Sequence, residues 1–348
     1  MNAFKKENAE LPAALEDLIT FYGSAEGAER LERWRALSAP ATRFVFSGMG
    51  TSEFAPYAVR WKLFNKELGC EIVDTGEWQY CGTMAERKTD LVVLISQSGE
   101  SVELKKLLES AKPERFVAIT NDDTSTLARH ATLTLPLCAG HEAAITTKTY
   151  TNTLALLHLL TEARESNSAM EDARTVLRMC AGLMEHVDES AVQRAADYLM
   201  PADYVAFVAR GPAFVSARQS ALTFMEGLKK TTAAFTGGAF RHGPFESMGP
   251  DFRMVVFRAP GTTAVILDKL TDDATRLGGH VIVFDGHPRQ LRSSSLTVKV
   301  PFLDHRAAES LFPLLAARSH NQLLCELADR LGIDIGSFRY GSKITTVE

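Results

Sequence analysis

Residues 91–101, LVVLISQSGES, constrain the fold more than any other stretch of the chain. Leu91, Val92, Val93, Leu94 and Ile95 are too continuous for a half-solvated strand, whose apolar residues would alternate, and fit a strand buried on both faces of a parallel sheet. The run stops abruptly at Ser96, Gln97, Ser98, Gly99 and Ser101, ahead of a segment, 102–111, that reads as a helix. Strand, small-residue turn and helix N-terminus together make an anion site, because the first N–H groups lack partners within the helix and its dipole adds positive potential. A tight turn is the plainer use of one such segment, but a second of the same kind occurs. Residues 44–46 are apolar and end in Ser47, Gly48, Met49, Gly50, Thr51 and Ser52, before a helical pattern over 54–65. Glu53 at the third glycine position rules out a dinucleotide fingerprint. Two polar turns at the carboxyl ends of parallel strands form the crevice where open α/β sheets bind ligands.

The chain has 348 residues, 45% of them hydrophobic, enough for one large or two medium cores. Two domains are expected, over residues 1–168 and 169–348. A net charge of −5 carries no footprint for nucleic acid. Residues 1–30 are polar and amphipathic, and no apolar stretch reaches transmembrane length, so a cytosolic (cytoplasmic) protein without membrane contact is expected. The five cysteines are scattered without C-x-x-C spacing, and the nine histidines form no metal-binding motif. The cysteines read as reduced thiols, and neither a metal nor another cofactor is called for.

Taken in order, residues 11–37 are mostly helical with an interruption at 23–27, and strands follow at 43–47, 70–74, 91–96, 116–120 and 132–137, alternating with helices. That alternation predicts a doubly wound parallel sheet. A long helix is expected over 150–165 and helical linker sequence over 170–199. The pattern then restarts, with strands at 204–209, 254–259, 280–284 and 297–300, a helix over 214–229 and another over 307–331.

Five motifs in register resemble the sugar isomerase (SIS) domains of glucosamine-6-phosphate synthase: Gly50-Thr51-Ser52, Ser96-Gln97-Ser98-Gly99-Glu100-Ser101, Thr146-Thr147-Lys148, Arg241-His242-Gly243-Pro244 and the ending Lys343-Ile344-Thr345-Thr346-Val347-Glu348. The similarity runs from about residue 40 to the C-terminus and implies an α/β protein with two SIS domains, each a doubly wound parallel sheet flanked by helices, one in each predicted half. It also implies a hexose 6-phosphate or amino-sugar 6-phosphate ligand. Ser96, Gln97, Ser98 and Ser101 would hold the phosphate, and Ser52 and Thr146 would contact the sugar. Glu226 falls on the enolisation base, His242 on the ring-opening histidine and Lys343 on the lysine that forms a Schiff base. In the family that histidine comes from the neighbouring subunit, so a homodimer is implied. Singly, Glu226 would be read as a solvated helix residue, His242 as a loop histidine, Lys343 as part of a mobile tail and Thr146 as a helix cap.

The three chemical groups suit an aldose–ketose reaction. An imidazole titrating near neutrality shuttles the ring-opening proton, a carboxylate moves a carbon-bound proton between C1 and C2, and an iminium on lysine serves as electron sink. Asn2 stands where the synthase's glutaminase domain has its cysteine nucleophile, and the first strand is reached by Arg43, so no glutaminase domain is expected. What the resemblance then implies is an amino-sugar-phosphate deaminase or isomerase. A fructosamine-6-phosphate deglycase is the alternative, and a non-catalytic sugar-phosphate sensor a third reading. Thr223 and Ala239 replace a lysine and a glutamate of the synthase, removing charge close to the reacting carbons.

Overall fold

The structure, a computed structural model, describes residues 2–81, 87–110, 115–143, 145–291 and 293–345. Its packing divides the chain into two compact units that are not contiguous in sequence. One comprises residues 13–142, 148–178 and the tail from 340; the other comprises residues up to 12, 143–147 and 179–339.

The first of these holds five parallel strands, β1 (Arg43–Gly48), β2 (Gly69–Asp74), β3 (Asp90–Ile95), β4 (Phe116–Thr120) and β5 (Leu133–Pro136), in the order β2-β1-β3-β4-β5. β3 and β4 are buried at every residue, as their unbroken apolar runs require. The edge strand β5 ends at Pro136, which has no N–H to donate and is tolerated at an edge. At the N-terminal rim the Arg43 guanidinium binds Asp90 and, at 2.7 Å, Glu71, tying β1 to both neighbours.

The second unit repeats the topology. Strands β6 (Tyr204–Ala209), β7 (Thr231–Thr236), β8 (Arg253–Arg258), β9 (His280–Asp285) and β10 (Leu296–Lys299) lie in the order β10-β9-β8-β6-β7, the same winding read from the opposite edge. All of its pairings are parallel. The strands differ from the sequence reading by a residue or so at their ends, and β7 is additional. The expected helix over 102–111 is observed as Val102–Ser110; Ala111 lies outside the described residues, as do Thr346, Val347 and Glu348. The helical stretch over 170–199 is two helices, Asn167–Leu183 and Glu189–Leu199.

Buried polar packing in this second unit makes a pH prediction. His320, on the helix Ala308–Leu331, is stacked on Phe224, with Nδ1 3.1 Å from the Ser220 hydroxyl and Nε2 3.0 Å from that of Thr223. The Thr223 proton is directed to the carbonyl of Gln219 at 3.0 Å, so Nε2 donates to Thr223 and Nδ1 accepts from Ser220. Full burial pushes the imidazole down from 6.5 to about 3. The stability this contributes is fully present above pH 6.5 and is lost as pH falls toward 3, because only the unfolded chain takes up the proton. Urea unfolding should lose on the order of 1 kcal/mol per pH unit in this window, and His320→Asn should remove that part of the slope. An unchanged slope in the variant would refute the assignment.

Candidate functional site

In a sheet ordered β2-β1-β3-β4-β5 the connections leaving β1 and β3 turn to opposite sides, opening a crevice at their carboxyl ends. Ser52 lies in the short helix Thr51–Phe54 that follows β1, and Ser96, Gln97, Ser98 and Ser101 lie in the loop after β3; all five are half-buried. The loop is held by its own polar groups. Ser96 N–H donates to the Ile119 carbonyl at 3.0 Å, continuing the ladder for one residue, and the Gln97 carbonyl accepts from Asn121 N–H at 3.0 Å. The Ser96 hydroxyl accepts from Gly99 N–H at 3.1 Å and the Ser98 hydroxyl from Glu100 N–H at 3.2 Å. Gly99 has φ +64°, and its carbonyl accepts from Leu127 N–H at 3.1 Å.

Glu100, the acid in this loop, would oppose an anion if its charge were uncompensated. It is instead engaged by Lys105 at 2.7 Å and by the N–H and hydroxyl of Thr126 at 2.6 and 3.1 Å. Those partners, Lys105 first, hold its carboxyl down to about 2. The helix Val102–Ser110 begins directly behind, and Val102 N–H donates to the Thr345 carbonyl at 3.2 Å. That bond brings the C-terminal segment to the first turn of the helix. Glu103, in the same turn, is buried with Oε2 lacking a hydrogen-bond partner, a position sequence reasoning did not single out.

Lys343 lies two residues before that bond. Its Nζ pairs with Glu142 Oε2 at 2.9 Å, and Glu142 is itself buried, accepting from the N–H and hydroxyl of Thr149 at 3.1 and 2.8 Å. A residue read as part of a mobile tail is therefore anchored. Glu142 carries no local sequence signal, because its partner stands 201 residues away.

Thr146, Glu226 and His242 belong to the other unit. Thr146 is half-buried, and the neighbouring Thr147 hydroxyl donates to Glu7 at 3.0 Å. Glu226 is half-buried near the end of the helix Phe214–Leu228, and Lys229 Nζ donates to its backbone carbonyl and to that of Ser337. His242 is exposed at the end of the short helix Gly237–Arg241, followed by Gly243 at φ +139°. Its N–H donates to the Ala239 carbonyl at 3.2 Å.

The other reactive groups offer little alternative chemistry. Burial pushes the thiols of Cys70, Cys180 and Cys325 up to about 12 and that of Cys138 to about 11, away from nucleophilic thiolates. Among the described residues no group of three or more His, Cys, Asp or Glu is arranged to hold a metal, and no helix is long and apolar enough to cross a membrane.

Residues 39–163 match the SIS domain family. The glutamine–fructose-6-phosphate aminotransferase (isomerizing) of Treponema pallidum (strain Nichols) is 27% identical over 88% of the chain and 52% of its own length. The chain thus spans about half the length of the curated relatives it matches. Among solved structures, the C-terminal domain of glucosamine-fructose-6-phosphate aminotransferase from Francisella tularensis covers 97% of the chain and 98% of its own, with TM-score 0.81 and 19% identity. The glucosamine-6-phosphate deaminase of Thermotoga maritima covers 99% of each chain, with TM-score 0.77 and 18% identity. These structural likenesses speak to the fold.

Proposed function

We propose that this chain, a SIS-domain protein by the match over residues 39–163, binds an amino-sugar 6-phosphate of the glucosamine type and isomerises and deaminates it. The observation that carries the reading is the half-buried, hydroxyl-rich loop after β3, ahead of the helix Val102–Ser110, where the Glu100 carboxylate is already engaged by Lys105 and Thr126. Neutral donors at a helix N-terminus suit a phosphate ester. The anchoring of Lys343, in the same unit, supplies an amine in a fixed place. The names of the curated relatives and of the Thermotoga maritima deaminase support the substrate class.

In this reading Ser96, Gln97, Ser98 and Ser101 hold the phosphate, while Ser52 and Thr146 contact the sugar. His242, donated by a second copy in a homodimer, takes the proton of the anomeric hydroxyl and returns one to the ring oxygen as the C1–O5 bond breaks. Glu226 removes the proton from C2 and delivers it to C1, which turns the amine-bearing carbon into a ketimine. Water adds to that carbon and the C–N bond breaks, releasing ammonia and leaving a ketose 6-phosphate. Lys343 stabilises charge on the open-chain oxygen; where it condenses with the ketose carbonyl at C2, losing water to form an iminium, water adds back to that carbon and frees the lysine.

A second reading, cleavage of a fructosamine 6-phosphate, is favoured by one observation. Thr223 is buried and spent on His320, so its position brings no charge to a substrate. Purified protein incubated with glucosamine 6-phosphate should release ammonia and fructose 6-phosphate in equal amounts, with galactosamine 6-phosphate as the epimer control. Free amino acid from a fructosamine 6-phosphate alone would replace the reading by the second one. Binding without turnover of all three would make the chain a sugar-phosphate sensor.

A further inference from the structure

The second sheet has its own switch point, at the carboxyl ends of β6 and β8, and two arginines stand there. The register pairs Ala209 with Phe257, so Arg210 and Arg258 follow at equivalent positions on neighbouring strands. Their surroundings are opposite. Arg258 is 1% exposed and clamped by Asp268 at 2.5 and 3.0 Å and by Asp285 at 2.7 Å, with Lys299 on the second oxygen of Asp285 at 2.6 Å. Its charge is compensated, and its role is to hold the ends of β8 and β9.

Arg210 has no hydrogen bond or ion pair among the described residues, and its Nε is buried without an acceptor. The side chain runs from the end of β6 across the end of β7. Nε lies 2.8 Å from where a Cβ of Gly237 would be, and one terminal nitrogen 3.7 Å from that of Gly238. Any side chain at 237 would displace the guanidinium, so glycine there clears its path. Three aspartates of this rim are committed elsewhere. Asp268 and Asp285 hold Arg258, and Asp273 pairs with Arg241 at 2.6 Å. Glu309 lies against Gly211 and Gly261 and makes no ion pair with Arg210. Helices begin at this rim, so the local backbone potential is positive as well. A partly desolvated guanidinium in such a place lacks its counter-charge.

We infer that Arg210 is the receptor of an oxyanion-binding site in the second unit, separate from the loop after β3, for the carboxylate or phosphate of a small ligand. The planar fork of its two terminal nitrogens, neither of them buried as Nε is, matches two oxygens of either group.

The test is site-resolved. Wild-type protein is treated with phenylglyoxal, and arginine modification is mapped by mass spectrometry with and without inorganic phosphate or acetate. Arg210 should be modified, and the anion should slow that modification several-fold while leaving Arg330, a paired surface arginine, unaffected. Protection by phosphate alone assigns the site to a phosphate ester, and equal protection by acetate assigns it to a carboxylate. Arg210→Gln should lose one component of a two-site phosphate titration, and Arg210→Lys should retain part of it, which separates loss of the receptor from misfolding. Absence of protection, with Arg210→Gln titrating as wild type, would overturn the inference. So would dissociation of an oligomer in Arg210→Gln with phosphate binding intact, since the guanidinium would then serve a second copy of the chain.

Discussion

Gly99→Ala should abolish binding of a sugar phosphate and destabilise the protein by roughly 2–4 kcal/mol. Gly99 sits at φ +64°, where a Cβ costs about 1–2 kcal/mol. The added methyl would also stand 2.2 Å from the Ser125 hydroxyl oxygen and 2.5 Å from its Cβ. Ser125 cannot swing aside cheaply, because its hydroxyl caps the helix Thr126–His130 through Ala128 N–H at 3.3 Å and donates to the Asp122 carbonyl at 2.7 Å. Breaking such a cap costs about 0.5–2 kcal/mol. The loop must therefore move, carrying with it the Ser96 and Ser98 hydroxyls and the N–H groups they fix. Thermal unfolding with and without the sugar phosphate checks both parts. A variant that still gains wild-type stabilisation from ligand would show that the loop after β3 is not the phosphate site.

The second large effect is on turnover. Glu226→Gln keeps the size of the side chain and the helix Phe214–Leu228, so stability should stay within about 0.5 kcal/mol. A carboxylate moving a carbon-bound proton is worth about 10²- to 10⁴-fold, and that loss should fall on kcat with KM little changed. Steady-state assays of ammonia release would read it. Equal turnover by the variant would remove Glu226 as the base while leaving the reading of the phosphate loop intact.

Much of the fold was legible because buried parallel strands write themselves as unbroken apolar runs. β3 and β4 needed no other information. β7, with the sequence TTAAFT, was not legible, since a polar edge strand owes its existence to pairing with β6 rather than to its own pattern. The break at 184–188 between two helices was also invisible, having no proline to mark it. At the candidate site, the turns after β1 and β3 could be found because strand end, small residues and helix start are adjacent in sequence. Glu142 and Arg210 could not, as one is defined by a distant lysine and the other by carboxylates occupied elsewhere.

The helix Ala3–Ala9 has a consequence for biosynthesis. Its Phe4 is buried, Lys5 donates to Asp329 at 2.7 Å and the Asn8 amide to the Arg318 carbonyl at 3.4 Å, so its resting place is the helix Ala308–Leu331. A ribosome adding about 5–20 residues per second needs roughly a quarter of a minute to a minute to reach that partner. Glu7 finds Ala143 and Thr147 earlier, but Lys5 and Asn8 must wait until residues 308–331 have been made. Until then the nascent chain exposes a short segment that a chaperone can hold, and a helix made about 300 residues later closes over it.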